Sequence, residues 1–150
     1  MKTWIAITVI AATVLAICGA VAAVVPDPLV MTNKMVGGGK FNDYTPGVAD
    51  GKGLHNIGLL IQTSGKVVAG STNTTDKYFY INDGSDLKDG LGVVVGLRVS
   101  YANLATGKSI TPPADNTYVV ITGISSTTDL SGRIIPTLRP REQTDIAPAP

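Results

Sequence analysis

Alternating apolar and polar residues, separated by clusters of turn-forming residues, dominate the chain from Ile57 onward. Period-two alternation predicts β-strands, because successive side chains of a strand point to opposite faces. The pattern predicts five strands, over residues 57–68, 78–81, 93–101, 118–122 and 133–135. Gly65 bends the first strand, Gly123 ends the fourth, and Pro136 marks the fifth as a short or edge strand.

Five short strands in about 90 residues are typical of a small antiparallel barrel. We therefore predict an all-β protein with a five-stranded OB-type antiparallel barrel over residues 54–146 and a loose tail at 147–150. The segment before the fourth strand contains Thr111-Pro112-Pro113 and cannot hold a regular helix. A short fifth strand leaves a partial edge, which a strand from another subunit can complete.

An apolar, uncharged run from Ile5 to Val25 follows Lys2 and precedes the predicted barrel. The small residues Ala20-Val21-Ala22 near its end predict an export signal peptide over residues 1–22. The run is also long enough to be retained as an apolar helix that anchors or packs, and this alternative stays open. The single cysteine, Cys18, lies in this segment, so a cleaved chain has none for a disulfide or a zinc site.

Residues 23–53 form a Gly/Pro-rich spacer between the apolar segment and the predicted barrel. The spacer contains Gly37-Gly38-Gly39 and Asn42-Asp43-Tyr44-Thr45-Pro46-Gly47, without a helical or alternating period. Such clusters favour turns. We predict either a disordered tether or an arm that becomes ordered by docking, for instance on a neighbouring subunit.

Charge and residue inventory argue against two classes of function. The 150 residues carry 12 Lys and Arg against 11 Asp and Glu, a formal net charge of +1. Tight electrostatic binding to nucleic acid or to an anionic bilayer needs a larger excess of cations. The chain has one histidine, His55, so a Ser-His-Asp triad could use only that residue, and a cluster of histidines that binds zinc is excluded. We therefore expect no enzyme and no cofactor, with His55 in a turn.

Three aspartates lie three residues apart after the second predicted strand, at Asp83, Asp86 and Asp89. Carboxylates are calcium ligands, so this group is a weak calcium candidate. The alternate spacing and terminal glutamate of an EF-hand loop are absent from this stretch, and Lys88 opposes cation binding. Turns in which the carboxylates accept backbone hydrogen bonds are the preferred interpretation, so we predict no dedicated metal site.

Alternation on the second and third predicted strands divides their side chains between two faces. The inward set is Phe79, Ile81, Leu97 and Val99. The outward face carries Tyr78, Tyr80 and Arg98. In OB-folds this face binds oligonucleotides or oligosaccharides by stacking on aromatic rings. These three residues form a hypothetical ligand-binding site, with packing or a protein contact as the alternative.

Four stretches of sequence carry a resemblance to a known kind of domain: Gly53–Leu60, Tyr78–Ser85, Val120–Ile124 and Leu138–Arg141. They resemble an OB-fold module that recurs in exported bacterial surface proteins. The resemblance covers residues 37–146, nearly all of the predicted exported part. It implies the fold and a surface location, and it implies no particular activity.

These observations lead to one expected function and one alternative. The expected function is a non-catalytic structural or interaction module, extracellular or on the cell surface, and a self-assembling surface or filament subunit is one version of it. Its expected partners are other protein subunits or cell-surface components, including copies of itself as a homo-oligomer or polymer. Membrane contact is expected only if residues 5–25 are retained. The alternative is an OB domain that stacks single-stranded nucleic acid or a glycan on Tyr78 and Tyr80.

Overall fold

The structure is a computed structural model, and it describes residues 26–88 and 95–150. Four features predicted from the sequence lie wholly or partly outside the described residues. They are the signal peptide or apolar helix over residues 1–22, the beginning of the spacer at residues 23–25, Asp89, and the beginning of the third predicted strand at residues 93–94.

The described chain folds into one mixed β-sheet of seven strands with two short 3₁₀ turns. The strands are β1 Leu29–Val30, β2 Leu60–Val67, β3 Tyr78–Asn82, β4 Leu97–Ser100, β5 Tyr118–Leu130, β6 Arg133–Arg139 and β7 Ile146–Pro148. The 3₁₀ turns are Asn33–Met35 and Gln143–Asp145. This confirms the prediction of a predominantly β protein.

The strand order is β1-β2-β3-β4-β6-β5-β7, and β2 pairs additionally with β5. The pairings β2–β3, β3–β4, β4–β6, β6–β5 and β5–β2 therefore form a closed circuit of five strands. Two pairs, β1 with β2 and β4 with β6, are parallel, whereas the sequence predicts only antiparallel pairing. The reason for the second pair is connectivity: the chain leaves β4, forms β5 elsewhere in the sheet, and returns through a tight turn as β6 beside β4.

The core lies on one face of these strands. Phe79, Ile81, Leu97 and Val99 are all fully buried, which confirms the inward set predicted from alternation. They join the other fully buried apolar side chains, Val36, Ile61, Val67, Ile121 and Leu138, in one cluster. Burial of this apolar surface is the main stabilising contribution to the sheet.

The last two predicted strands are longer than expected, and the fifth is not at an edge. β5 continues through Gly123 to Leu130, and β6 continues through Pro136, which is buried. Ser131 and Gly132 both have positive φ, 53° and 82°, as in the two-residue turns that join antiparallel strands. This turn sets the register and pairs β6 with β5 on one side, while β4 occupies the other. Strand addition beside β6, suggested by its predicted short length, is therefore not available.

The spacer is ordered and docks on the sheet of its own chain; we call residues 26–59 the arm. β1 pairs with β2, and Val36 enters the core. A Cβ atom on Gly38, where φ is 68°, would lie 2.0 Å from the Leu54 carbonyl oxygen, so only glycine fits. At the other end, the predicted loose tail includes part of β7, which pairs with β5. The two sheet edges are thus formed by two- and three-residue strands.

Candidate functional site

Tyr78, Tyr80 and Arg98 lie together on the outer face of β3 and β4. Tyr80 is paired directly with Arg98 across the two strands, which places their side chains on the same side. The Arg98 Cζ atom lies 3.6 Å from the centre of the Tyr78 ring, and the two tyrosine rings meet edge to face at 5.9 Å. The trio is therefore one packed cluster in which arginine covers an aromatic face.

This cluster is less open than the sequence suggests. Tyr80 is only 4 % exposed, although it lies on the face opposite to the core residue Phe79. The segment that follows β2 packs beside β3: the Tyr80 backbone N–H donates to the Ser71 hydroxyl, and Asn73 forms a bridge with Tyr78. Because Tyr80 is covered and Arg98 occupies a face of the Tyr78 ring, two open rings for stacking are not presented.

Arg98 keeps unused hydrogen-bonding capacity in this cluster. Its Nη1 donates a long bond of 3.4 Å to the Tyr80 hydroxyl, and its buried Nε has no partner within the described residues. No carboxylate in the described part of the chain forms an ion pair with it. A half-buried guanidinium without an ion-pair partner among the described residues favours contact with an anion.

Asp83 and Asp86, the described members of the acidic group, have other partners. Asp83 accepts hydrogen bonds from the backbone N–H groups of Asn33 and Ser85, one on each carboxylate oxygen. Asp86 forms an ion pair with Lys88 at 3.7 Å. In residues 26–88 and 95–150, no group of three or more His, Cys, Asp or Glu side chains is close enough to hold a metal ion. The arrangement of Asp83 is that of a turn-capping carboxylate.

The arm presents exposed apolar side chains that the sequence analysis did not single out. Tyr44 is 96 % exposed, Leu54 is 88 % exposed and Phe41 is 76 % exposed. A hydrogen bond from Gly39 N–H to the Gly53 carbonyl joins the two stretches that carry them. We call Phe41, Tyr44 and Leu54 the arm surface. The signal in the sequence was two aromatic residues within a cluster of turn-forming residues, where no core position is expected.

Asn56 holds the arm to the sheet with all four of its hydrogen-bonding positions. Its Nδ2 donates to the Met35 carbonyl at 2.7 Å and to the Leu54 carbonyl at 3.0 Å. Its Oδ1 accepts from the Gly37 N–H and from the Ser125 hydroxyl of β5, both at 2.8 Å. A buried amide with every donor and acceptor satisfied fixes its surroundings, so the arm surface is presented by a rigid support.

Two carboxylates near the C-terminal end of the described chain are paired with basic side chains. Burial by itself would raise the pKa of Asp145, but hydrogen bonds from the Arg141 side chain and backbone, with the guanidinium charge, hold that pKa below its usual range. Glu142 pairs with Lys108, which lowers the pKa of the Glu142 carboxyl. His55 is half-buried in the stretch between the bend at residues 53–54 and the turn at residues 57–58, so it is not in a turn as predicted.

The chain matches no protein-family profile, no curated protein and no solved structure. Within residues 26–88 and 95–150, no helix has the length and apolar character needed to cross a membrane. The contacts and exposures described above are therefore the basis for assigning a function.

Proposed function

We propose that this protein is an exported, non-catalytic interaction module built on an OB-type β-barrel, and that it binds a second copy of itself through the arm surface. The closed circuit of β2, β3, β4, β6 and β5 supports the barrel, because an OB-fold is a five-stranded Greek-key barrel. The apolar run before Pro26, with its small residues, supports export.

The observation that carries the proposal is the exposure of the arm surface on an ordered support. Large apolar side chains grouped on a protein surface mark interaction sites, and aromatic residues are enriched in such sites. Tyr44 lies within a turn and Phe41 lies just before it; the Tyr44 N–H donates to the Asn42 side chain and the Thr45 N–H donates to the Asn42 carbonyl. Because the turn is already formed, binding orders few additional groups.

A second copy of the chain is the partner that the charge balance favours. With a net charge of +1, two copies repel each other weakly, and a net charge near zero promotes association. Sheet-edge pairing is the less favoured route, because β1 and β7 are short and prolines 26, 28, 148 and 150 lie in or beside them. Contact through side chains of the arm surface remains, and a polymer requires a second contact beyond it.

Sedimentation velocity of the full chain, from about 1 to 100 µM, tests this proposal. We expect the wild-type protein to sediment increasingly as an oligomer with rising concentration, and Phe41→Ala with Tyr44→Ala to remain monomeric. Tyr118→Ala is the matched control, because Tyr118 is also exposed but lies on β5. A wild-type protein that stays monomeric, or a double variant that associates like the wild type, would refute the proposal.

The same samples should be analysed by mass spectrometry and electron microscopy. Mass spectrometry gives the N-terminus, which matters because a retained apolar segment adds its own tendency to associate. The comparison of the double variant with Tyr118→Ala separates the two causes, since both carry the same N-terminus. Ordered polymers in the microscope would extend the proposal to a structural surface or filament subunit.

Arg98 favours a second candidate function, an OB domain that binds an anionic ligand on β3 and β4. The unused guanidinium capacity beside Tyr78 suits one phosphate of a single-stranded oligonucleotide, with a base against the exposed part of the Tyr78 ring. The near-neutral charge limits the affinity. Binding of an oligothymidylate that is lost in Arg98→Gln and kept in Arg139→Gln would support this function, and equal binding by both variants would exclude it.

A further inference from the structure

We propose that a groove at the ends of β2, β3 and β5 binds a short acidic oligosaccharide, with Tyr118, Lys66 and Asn82 as its contact residues. This groove shares no residue with the arm surface or with the cluster of Tyr78, Tyr80 and Arg98. The inference therefore goes beyond the proposed self-association and stands or fails independently of it.

Strand register places the three contact residues in one row. Lys66 of β2 is paired directly with Asn82 of β3 on one side and with Tyr118 of β5 on the other. Directly paired residues project from the same face of a sheet, and the neighbouring Val67 and Val119 are buried on the opposite face. With strands about 5 Å apart, the row extends about 10 Å, which matches the length of two linked sugar rings.

The row lies in a groove with a volume of about 620 Å³. Its size is within the range of small-molecule sites. Gly65, in the middle of β2, and Gly84, which follows β3, are among the residues that line it. A Cβ on Gly65 would approach the Asn82 backbone to 3.0 Å, so a side chain there would push the strands apart.

The polar groups of the row are hydrogen-bond donors without partners. Within the described residues, the Lys66 ammonium, the Asn82 Nδ2 and the Tyr118 hydroxyl form no hydrogen bond. Asn82 Oδ1 accepts from the Gly84 N–H at 2.8 Å, which fixes the amide and leaves its NH₂ group for a ligand. The carboxylate of Asp83, also in the groove, is engaged by two backbone N–H groups.

These donors select the chemistry of the ligand. A half-buried lysine without an ion pair in the described chain suits a carboxylate, and an amide NH₂ and a phenol suit hydroxyl oxygens. Tyr118 is 64 % exposed at the wall of the groove, where its ring can cover the apolar face of a pyranose while its hydroxyl stays in water. One cation and one aromatic face are too few for a polyphosphate chain, whereas they match a sugar that carries one carboxylate per ring.

Isothermal titration of the full chain with a galacturonate trimer tests the inference, with maltotriose as the neutral probe of equal length. We expect the acidic trimer to bind, and maltotriose to bind at least tenfold more weakly. Tyr118→Ala should weaken binding of the acidic trimer by about tenfold or more. Lys66→Gln should weaken it by about tenfold and leave the affinity for maltotriose unchanged.

Lys77→Gln is the matched control, since it removes an exposed lysine that lies outside the groove, and it should bind the acidic trimer like the wild type. Urea unfolding of each variant shows whether it is folded. Because Tyr118 and Lys66 are on the outer face, we expect unfolding midpoints close to that of the wild type. No binding of the acidic trimer at about 10 mM, equal binding of the two probes, or unchanged binding by Tyr118→Ala would each overturn the inference.

Discussion

Replacing Asn56 by alanine measures how strongly the arm is held to the sheet. Two of the four hydrogen bonds of Asn56, with the Gly37 N–H and the Ser125 hydroxyl, are buried. Each contributes about 1 kcal/mol to the free energy of unfolding. The two bonds to the Met35 and Leu54 carbonyls are partly exposed, so water replaces them in part and each contributes about half as much. We therefore expect Asn56→Ala to lower the free energy of unfolding by about 3 kcal/mol.

Urea unfolding followed by circular dichroism gives this free energy directly. Asn42→Ala is the matched control, because Asn42 is an exposed asparagine of the same arm that caps one turn amide, and its loss should cost about 0.5 kcal/mol. Hydrogen exchange adds a local measurement: the Gly37 and Gly39 amides should exchange faster in Asn56→Ala, while those of β3 change less. A difference of less than about 1 kcal/mol between the two variants would contradict the reasoning.

Three further substitutions test the packing and the charges. Tyr101→Phe should raise the free energy of unfolding by about 1 kcal/mol in a urea titration, because the buried Tyr101 hydroxyl has no hydrogen-bond partner among the described residues. A decrease in the free energy of unfolding would contradict this and show that the hydroxyl has a partner outside them. Gly38→Ala should lower the free energy of unfolding by about 3 kcal/mol, because φ is positive and the new Cβ would lie 2.0 Å from a carbonyl oxygen. Gly107→Ala should lower it by only about 1 kcal/mol, because φ is positive there but the Cβ would meet open space. Equal decreases for the two variants would refute the steric argument. Asp145→Asn should lower the free energy of unfolding by about 1 kcal/mol at neutral pH. Folding lowers the pKa of Asp145, so the stabilising contribution of its carboxylate is fully present above the usual pKa range of a carboxyl group and is lost as the pH falls through the lowered pKa. The free energies of unfolding of the wild type and Asp145→Asn, measured against pH, should therefore converge in acid.

The sequence predicted the local features of this fold and part of its candidate site. Alternation identified the inward-facing core side chains of β3 and β4, because a strand permits only two faces and apolar residues take the one away from water. The same alternation grouped Tyr78, Tyr80 and Arg98 on the outer face. It did not predict that Tyr80 is covered, because periodicity says nothing about which loop packs on an outer face.

The ends of strands were predicted less well for a related reason. Gly123 and Pro136 favour interruption when only their own preferences are considered. In the structure, Gly123 lies where a Cβ would approach the Arg139 carbonyl to 2.7 Å, so its lack of a side chain permits the close pairing of β5 with β6. Pairing between strands outweighs the preference of a single residue.

Composition and local pattern are enough to establish a β protein with a near-neutral charge, an apolar leading segment and a single histidine. Those properties depend on composition and on neighbours along the chain. Three other features become apparent only in the folded chain: the glycine-rich spacer is a docked arm, β6 is central, and Lys66, Asn82 and Tyr118 form one row. Each of them depends on register and close approach between segments far apart in sequence, where a shift of one residue would turn every side chain to the other face.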